Sequence, residues 1–349
     1  MRRRMMLLLA TGLVTVLAAG PALACGGLVA PNGSVNLVRT TTLAAYKDGI
    51  EHYVTSFEFT GGGGGKFGSI VPVPDIPTKV ERGGRWTLQR LVEEVAPPVV
   101  LEADASGAAA ATDQAQVLLE TRVSALDIVV LKGGGDEVGL WAKRNGFSLP
   151  PDAPEVLDFY AERSPIFMAV KFNLKRAKTK DLGVGDGIPV HLTIPTDQPW
   201  VPLRILGLGR QAGEVVEADV FLLTERVPSI LLPQIGFPGT TPGVSIESSG
   251  PASEALLSDL RSDRGMEWLP ASGMWLNYIR IDTPASELDY DLAMNVTGGR
   301  PSPVDAGLNE PYSAGAVPND PGQWWPWALA TIGAAIMLAG AGKFASDGR

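Results

Sequence analysis

Glycine and proline interrupt this chain so often that strands, turns and short helices are the elements its middle can hold. Forty-one glycines and 28 prolines fall among 349 residues. Proline removes an amide hydrogen and clashes with the preceding helical turn, and glycine inside a helix costs ~1 kcal/mol relative to alanine. Hydrophobic residues still make up 45% of the chain, enough for a substantial core. The combination predicts a β-dominated α+β body with antiparallel, sandwich-like sheets and a few short helices. Residues 25–299 would form this body, as one large domain or two halves.

Residues 52–59 alternate, with Tyr53, Thr55, Phe57 and Phe59 on one face and His52, Val54, Ser56 and Glu58 on the other. That pattern predicts a half-buried strand. Gly61 to Gly65 then lead into the run Phe67 to Val73, which reads as the second strand of a hairpin. Further strands are expected at 117–123, 126–131, 167–174, 188–194, 201–206, 215–223, 275–281 and 290–296. Leu88, Leu91, Val92 and Val95 stand at i, i+3, i+4 and i+7, predicting a helix over 87–95 that Pro97 and Pro98 stop. Asp152, followed by Pro154 and Glu155, reads as the N-cap of a second helix burying Val156, Phe159 and Tyr160. Weaker helical patterns cover 136–145, closed by Gly146, and 253–260. Tyr53–Pro77 and Phe167–Ile205 share a plan of Phe-rich strand, Gly- or Lys-rich turn, apolar strand and proline-punctuated tail, which suggests an internal duplication.

The two ends speak of a membrane. Arg2, Arg3 and Arg4 precede an apolar run from Met5 to Gly20, and Ala22 and Ala24 fit a small-x-small cleavage site. Residues 1–24 therefore read as a secretory signal, with an uncleaved N-terminal anchor as the alternative. Cleavage would make Cys25, the only cysteine, the first residue of the mature chain and a candidate for lipid attachment. Ala22 and Leu23 stand where a lipoprotein signal usually has Leu and a small residue, which argues against it. At the other end Trp324, Trp325 and Trp327 open an apolar stretch that runs to Gly342 and is followed by Lys343. Nineteen residues at ~1.5 Å each span roughly 28 Å, a bilayer core. The tryptophans form an interfacial belt, and the basic residues beyond place 343–349 in the cytoplasm. Between body and span, residues 300–323 form a Pro-rich linker that could reach roughly 70 Å at ~3 Å per residue. Residues 103–111 read as a small-residue surface loop.

Charge narrows the partners. The formal net charge is −9, and loss of Arg2, Arg3 and Arg4 with the signal leaves 26 basic against 38 acidic residues, a net of −12. Nucleic acid is thereby disfavoured. Lys175, Arg176, Lys178 and Lys180 make one dense basic cluster, read either as a solvated hairpin tip or as a contact to anionic envelope polymer or lipid head groups.

No motif compels a chemistry. Gly65-Lys66 lacks the remaining P-loop residues, and Gly63, Gly65 and Gly68 match dinucleotide spacing ahead of a proline-bearing strand rather than a helix; Gly207, Gly209 and Ala212 match it after a strand, but Val215 to Leu223 behind them reads as strand again. There is no G-x-S-x-G elbow. The two histidines, His52 and His191, fall on the polar faces of their strands and read as solvated, and two separated imidazoles do not make a zinc set. Asp181 to Gly187 lacks calcium-loop ligands at Gly183 and Gly185. Glu93 with Glu94, or Asp289 with Asp291, would serve acid-base catalysis only if the fold paired them suitably. No cofactor or metal is implied.

Cys25-Gly26-Gly27, the strand ending Ile70-Val71-Pro72-Val73-Pro74, Asn145-Gly146-Phe147 with Leu149-Pro150-Pro151, and Pro202-Leu203-Arg204-Ile205 together resemble a bacterial exported family, domain of unknown function 2330. The resemblance spans most of Cys25 to Pro228. It implies an extracytoplasmic domain and carries over no catalytic residue. Members often show a second cysteine shortly after Cys-Gly-Gly, and none stands between Val29 and Asn36 here, so a disulfide or redox role does not transfer. The expectation is a membrane-tethered extracytoplasmic module, non-enzymatic, that binds an envelope partner or stabilises the envelope. An envelope hydrolase with an Asp/Glu pair and a small-molecule or lipid-binding module are the alternatives.

Overall fold

A computed structural model describes residues 27–29, 36–37, 41–57, 59–60, 68–84, 86–95, 116–147, 149–173, 176, 179, 188–231, 243–302 and 304–307. The expected signal, Cys25, the 103–111 loop, Lys175, Lys178, Lys180 and the run from Trp324 through Trp325 and Trp327 to Lys343 lie outside these residues. No helix among the described residues is long and apolar enough to cross a membrane.

The strands are β1 (Gly27–Val29), β2 (Asn36–Leu37), β3 (Thr41–Lys47), β4 (Ile50–Phe57), β5 (Phe59–Thr60), β6 (Gly68–Pro72), β7 (Lys79–Arg82), β8 (Gln116–Val123), β9 (Leu126–Lys132), β10 (Ile166–Phe172), β11 (Ile188–Pro195), β12 (Trp200–Val201), β13 (Val215–Thr224), β14 (Ser229–Leu231), β15 (Val244–Pro251), β16 (Trp275–Pro284) and β17 (Leu292–Asn295). The helices are α1 (Thr87–Val95), α2 (Gly135–Arg144), α3 (Ala153–Ala161) and α4 (Glu254–Ser262). A five-stranded sheet runs β1-β6-β10-β9-β8, a seven-stranded sheet β15-β16-β13-β3-β4-β11-β7, and a small sheet β12-β17-β14, while β2 pairs with β5. The fold is thus β-rich with few helices, as its composition demands. Pairing is antiparallel except between β13 and β3.

Strand alternation builds four layers. Met168, Val170, Ile128 and Val130 of the five-stranded sheet pack against Leu192, Ile194, Val220 and Ile279 of the seven-stranded sheet. The opposite face of the five-stranded sheet, with Phe167, Ala169, Val129 and Leu131, is covered by Val138, Trp141, Leu157 and Tyr160 of α2 and α3. The opposite face of the seven-stranded sheet, with Leu43, Val54 and Phe221, is covered by Leu88 and Leu91 of α1 and Leu256, Leu257 and Leu260 of α4. Sheets covered on both sides have few positions for polar residues, which is why β9 and β10 read as nearly continuous apolar runs. Each fully buried Leu or Phe contributes ~1.5–3 kcal/mol.

Helix boundaries follow local chemistry, with two departures. Ser253 Oγ accepts from the Leu256 amide at 3.1 Å and caps α4. In α2, Asp136 and Glu137 lie in the first turn and Lys143 and Arg144 in the last, each sign matching the helix dipole. Asp152 stands at the N-cap position of α3 as expected, but its side chain makes no capping bond; its carboxylate accepts from the Gly209 amide at 2.9 Å instead. The start of α1 is capped from far away: Asp263 Oδ2 accepts from Trp86 N at 3.1 Å, Thr87 N at 2.8 Å and Thr87 Oγ1 at 2.7 Å.

Three expectations fail. β4 and β6 are not a hairpin: β4 lies between β3 and β11 in one sheet, and β6 between β1 and β10 in the other. β4 instead turns back on β3 through Asp48 and Gly49, both at positive φ, as a two-residue primed turn requires. Residues 201–206 give only β12 before a 3-10 turn at Arg204–Gly207. The proposed duplication falls with the hairpin, because its first unit passes from the seven-stranded to the five-stranded sheet and its second, β10 to β11, goes the other way.

Candidate functional site

The two histidines meet. On β4, Glu51, Tyr53 and Thr55 face the other sheet, so His52 and Val54 face the α1/α4 layer. In the ladder His52 lies opposite Thr193 and His191 opposite Val54, which makes the two imidazoles diagonal neighbours on that outer face. His52 is 8% and His191 2% exposed, so the expectation of solvated histidines is wrong. The polar face exists, but a helical layer and the segment behind it cover it. His52 Nδ1 and His191 Nε2 are 3.0 Å apart.

The cover is specific. Trp268 stacks on His52 with ring centroids 3.7 Å apart and an interplanar angle of 8°. Gly265, at φ +83°, passes so close that a Cβ there would stand 2.8 Å from His191 Nδ1. On the edge strand β7, Glu81 lies opposite His191, its Oε1 3.9 Å from Nδ1 and held by Lys79 Nζ at 2.5 Å. Burial, then the neighbouring His191 and Lys79, lower His52 to about 3. Burial also lowers His191 to about 4, against the opposing pull of Glu81 and Glu267 and with Lys79 adding to the drop. Both rings are neutral at neutral pH, one donating and one accepting. Among the described residues no group of three or more His, Cys, Asp or Glu side chains is arranged to hold a metal ion.

One residue earlier on β4, Glu51 points the opposite way, into the space between the sheets. It is fully buried, and neither carboxylate oxygen has a hydrogen-bond partner. Burial raises it well above the usual carboxylate range, which favours the protonated form.

The suspected carboxylate pairs are not assembled for catalysis. Asp291, 0% exposed, accepts from Tyr160 Oη at 2.8 Å, Leu203 N at 2.7 Å and Arg204 N at 3.2 Å, and pairs with Arg163. The Arg163 guanidinium lies 4.3 Å over the Trp200 ring. Burial first, and then Asp291, push the Tyr160 hydroxyl well above its ordinary value. Glu94 pairs with Arg90 at 2.8 Å and accepts from Ser253 Oγ at 3.1 Å, while Glu93 is exposed. Of the basic cluster, Arg176 is described, and both its terminal nitrogens lie 2.9 Å from Asp127 Oδ1.

The histidine pair left a faint trace in the sequence. The supposed polar face of β4 includes Val54, and the neighbouring strands hold Ala45 and Thr193 beside His52. Trp268 and Asp263, remote in sequence, left none.

No curated protein and no solved structure matches this chain. A family model described as "Uncharacterized protein conserved in bacteria (DUF2330)" matches residues 19–227. That span contains His52, Glu81 and His191 and stops short of Asp263, Trp268 and Asp291. It covers more than half of the 349 residues, and the chain belongs to the bacterial family domain of unknown function 2330.

Proposed function

We propose that this protein is a membrane-tethered extracytoplasmic module of the bacterial envelope, which binds an envelope protein or polymer or stabilises the envelope. The carrying observation is the pairing of a signal-like start, Arg2 to Ala24, with the Trp324 to Gly342 run and its Trp and Lys343 flanks. Together they support a topology in which everything between lies on one outer side of a membrane. The roles of the buried acids favour binding over hydrolysis: Asp291 and Asp263 spend their lone pairs on holding elements together. A general acid in a glycosidase needs an open partner carboxylate across a cleft.

Cell fractionation with protease treatment of spheroplasts tests the topology. The expected result is a membrane-bound chain whose body is digested from outside and whose intact mass begins at Cys25, with any lipid visible as added mass. A soluble chain that begins at Met1 and resists external protease would overturn the proposal. Release of sugars or peptides from purified envelope polymer by the purified protein would favour the hydrolase instead.

A further inference from the structure

We propose that the His52–His191 pair and the segment stacked on it form a proton-operated latch, which holds the α1/α4 layer on the seven-stranded sheet and releases it in acid. The inference concerns the body alone and does not depend on where the protein resides.

The geometry carries it. Two imidazoles 3.0 Å apart share one N–H···N bond when neutral, and a first added proton leaves that bond intact. A second proton sets two N–H groups against each other and two cations side by side, and both then need water. Trp268, stacked at 3.7 Å, and Gly265, against His191, occupy the space that water would take. Accepting the second proton therefore requires residues 263–269 to lift.

That segment is also what fastens the helices. Asp263 caps α1 and accepts from the Arg264 amide, and its own amide donates to Leu260 of α4. Met266 and Leu269 are buried in the core beneath both helices. The charged groups facing the pair are Lys79 and Glu81 of β7 and Glu267 of the covering segment. Glu51 lies on the opposite face of β4. Glu81 and Glu267 favour the first proton, and Lys79 opposes both. Lifting the segment would uncap α1 and uncover Leu91, Leu256 and Leu260, an apolar face hidden at neutral pH.

Hydrogen exchange followed by mass spectrometry, on the full-length chain in detergent between pH 7 and pH 3 and corrected for intrinsic rates, tests this. As the pH falls from about 4, where the first proton binds, toward about 3, where the second does, peptides covering 87–95 and 254–269 should lose protection at least ~10-fold while 135–144 and 153–161 keep theirs. The His52→Gln/His191→Gln chain should hold α1 and α4 to lower pH. Both layers opening together, or the variant opening at the parent's pH, would overturn the latch. Should the variant not fold, imidazole NMR of the parent decides, since the chain has two histidines. Both rings neutral at pH 5, with the second proton arriving as protection is lost, supports the latch. Titration of both near 6.5 without change in protection refutes it.

Discussion

The α2/α3 layer and the α1/α4 layer cover opposite outer faces of the same double sheet, and each is pinned by an aspartate from a distant part of the chain. Asp291 reaches α3 through Tyr160 and the turn after it through Arg163, while gathering the Leu203 and Arg204 amides. Asp263 reaches α1 through the Trp86 and Thr87 amides and the Thr87 hydroxyl. What differs is the company. Beside Asp291 stands a guanidinium, which keeps its charge at any ordinary pH. On the segment that carries Asp263 sits Trp268, pressed on a pair of imidazoles that change charge in acid. Two layers of one fold can therefore be held with similar geometry and still respond differently to the medium.

The sharpest way to break this comparison is Asp291→Ala. It takes the carboxylate from the partly buried Arg163, the buried Tyr160 hydroxyl and two backbone amides, and we expect a loss of ~3–5 kcal/mol in urea unfolding, with α3 losing exchange protection first. A loss of protection in α1 first would mean that the layers are not separately pinned. Glu51→Met should act in the other direction, stabilising by ~1–3 kcal/mol, since it removes buried oxygens that have no partner; unchanged or lower stability at pH 8 would count against a buried carboxyl without a partner. Gly265→Ala forces a side chain into φ +83° and into His191, at a cost of ~1–2 kcal/mol confined to the α1/α4 layer. Asp263→Ala removes a cap, and about 1 kcal/mol of stability should go with it, read as faster exchange in 87–95 with 153–161 unchanged.

A pH titration sharpens the same contrast, because neighbouring residues of β4 oppose each other. His52 and His191 have folded values below the usual 6.5, so the unfolded chain binds protons first. Their contribution is whole above about pH 6.5 and declines as the pH falls toward about 3. Glu51 has a folded value above the ordinary 4.5, so its contribution is whole below that and declines as the pH rises. The Glu51→Met chain should lose the alkaline decline and keep the acid one, as measured by urea midpoints across pH 3 to 9.

Local chemistry was legible and long-range placement was not. Leu88, Leu91 and Val95 gave α1 its bounds, and Ser253 marked the start of α4, because the spacing of apolar residues and a capping hydroxyl act within a turn or two. Asp48-Gly49 is a readable turn, yet the longer glycine run at 61–65 outweighs it as a hairpin signal and hides β3. β15 escaped for a different reason: as an edge strand its residues 245–249 are exposed and carry no alternation. Nothing in the glycine run could say that β4 and β6 enter different sheets. The histidines read as solvated for the same cause, since a period-two pattern identifies a polar face without saying whether another layer lies over it.

The parallel pairing of β3 with β13 has a consequence for how the chain reaches this fold. Thr41 lies beside Asp219, 178 positions later, while β3 and β4 close through a two-residue turn. At ~5–20 residues per second a ribosome needs roughly 10–35 s to supply the missing partner. Through that interval the early hairpin offers one open edge of β3, with Leu43, Ala44 and Ala45 along it, to whatever strand arrives first. A topology with such distant pairing folds slowly, and a chain with this order of synthesis gains most from a companion that shields β3 until β13 is made.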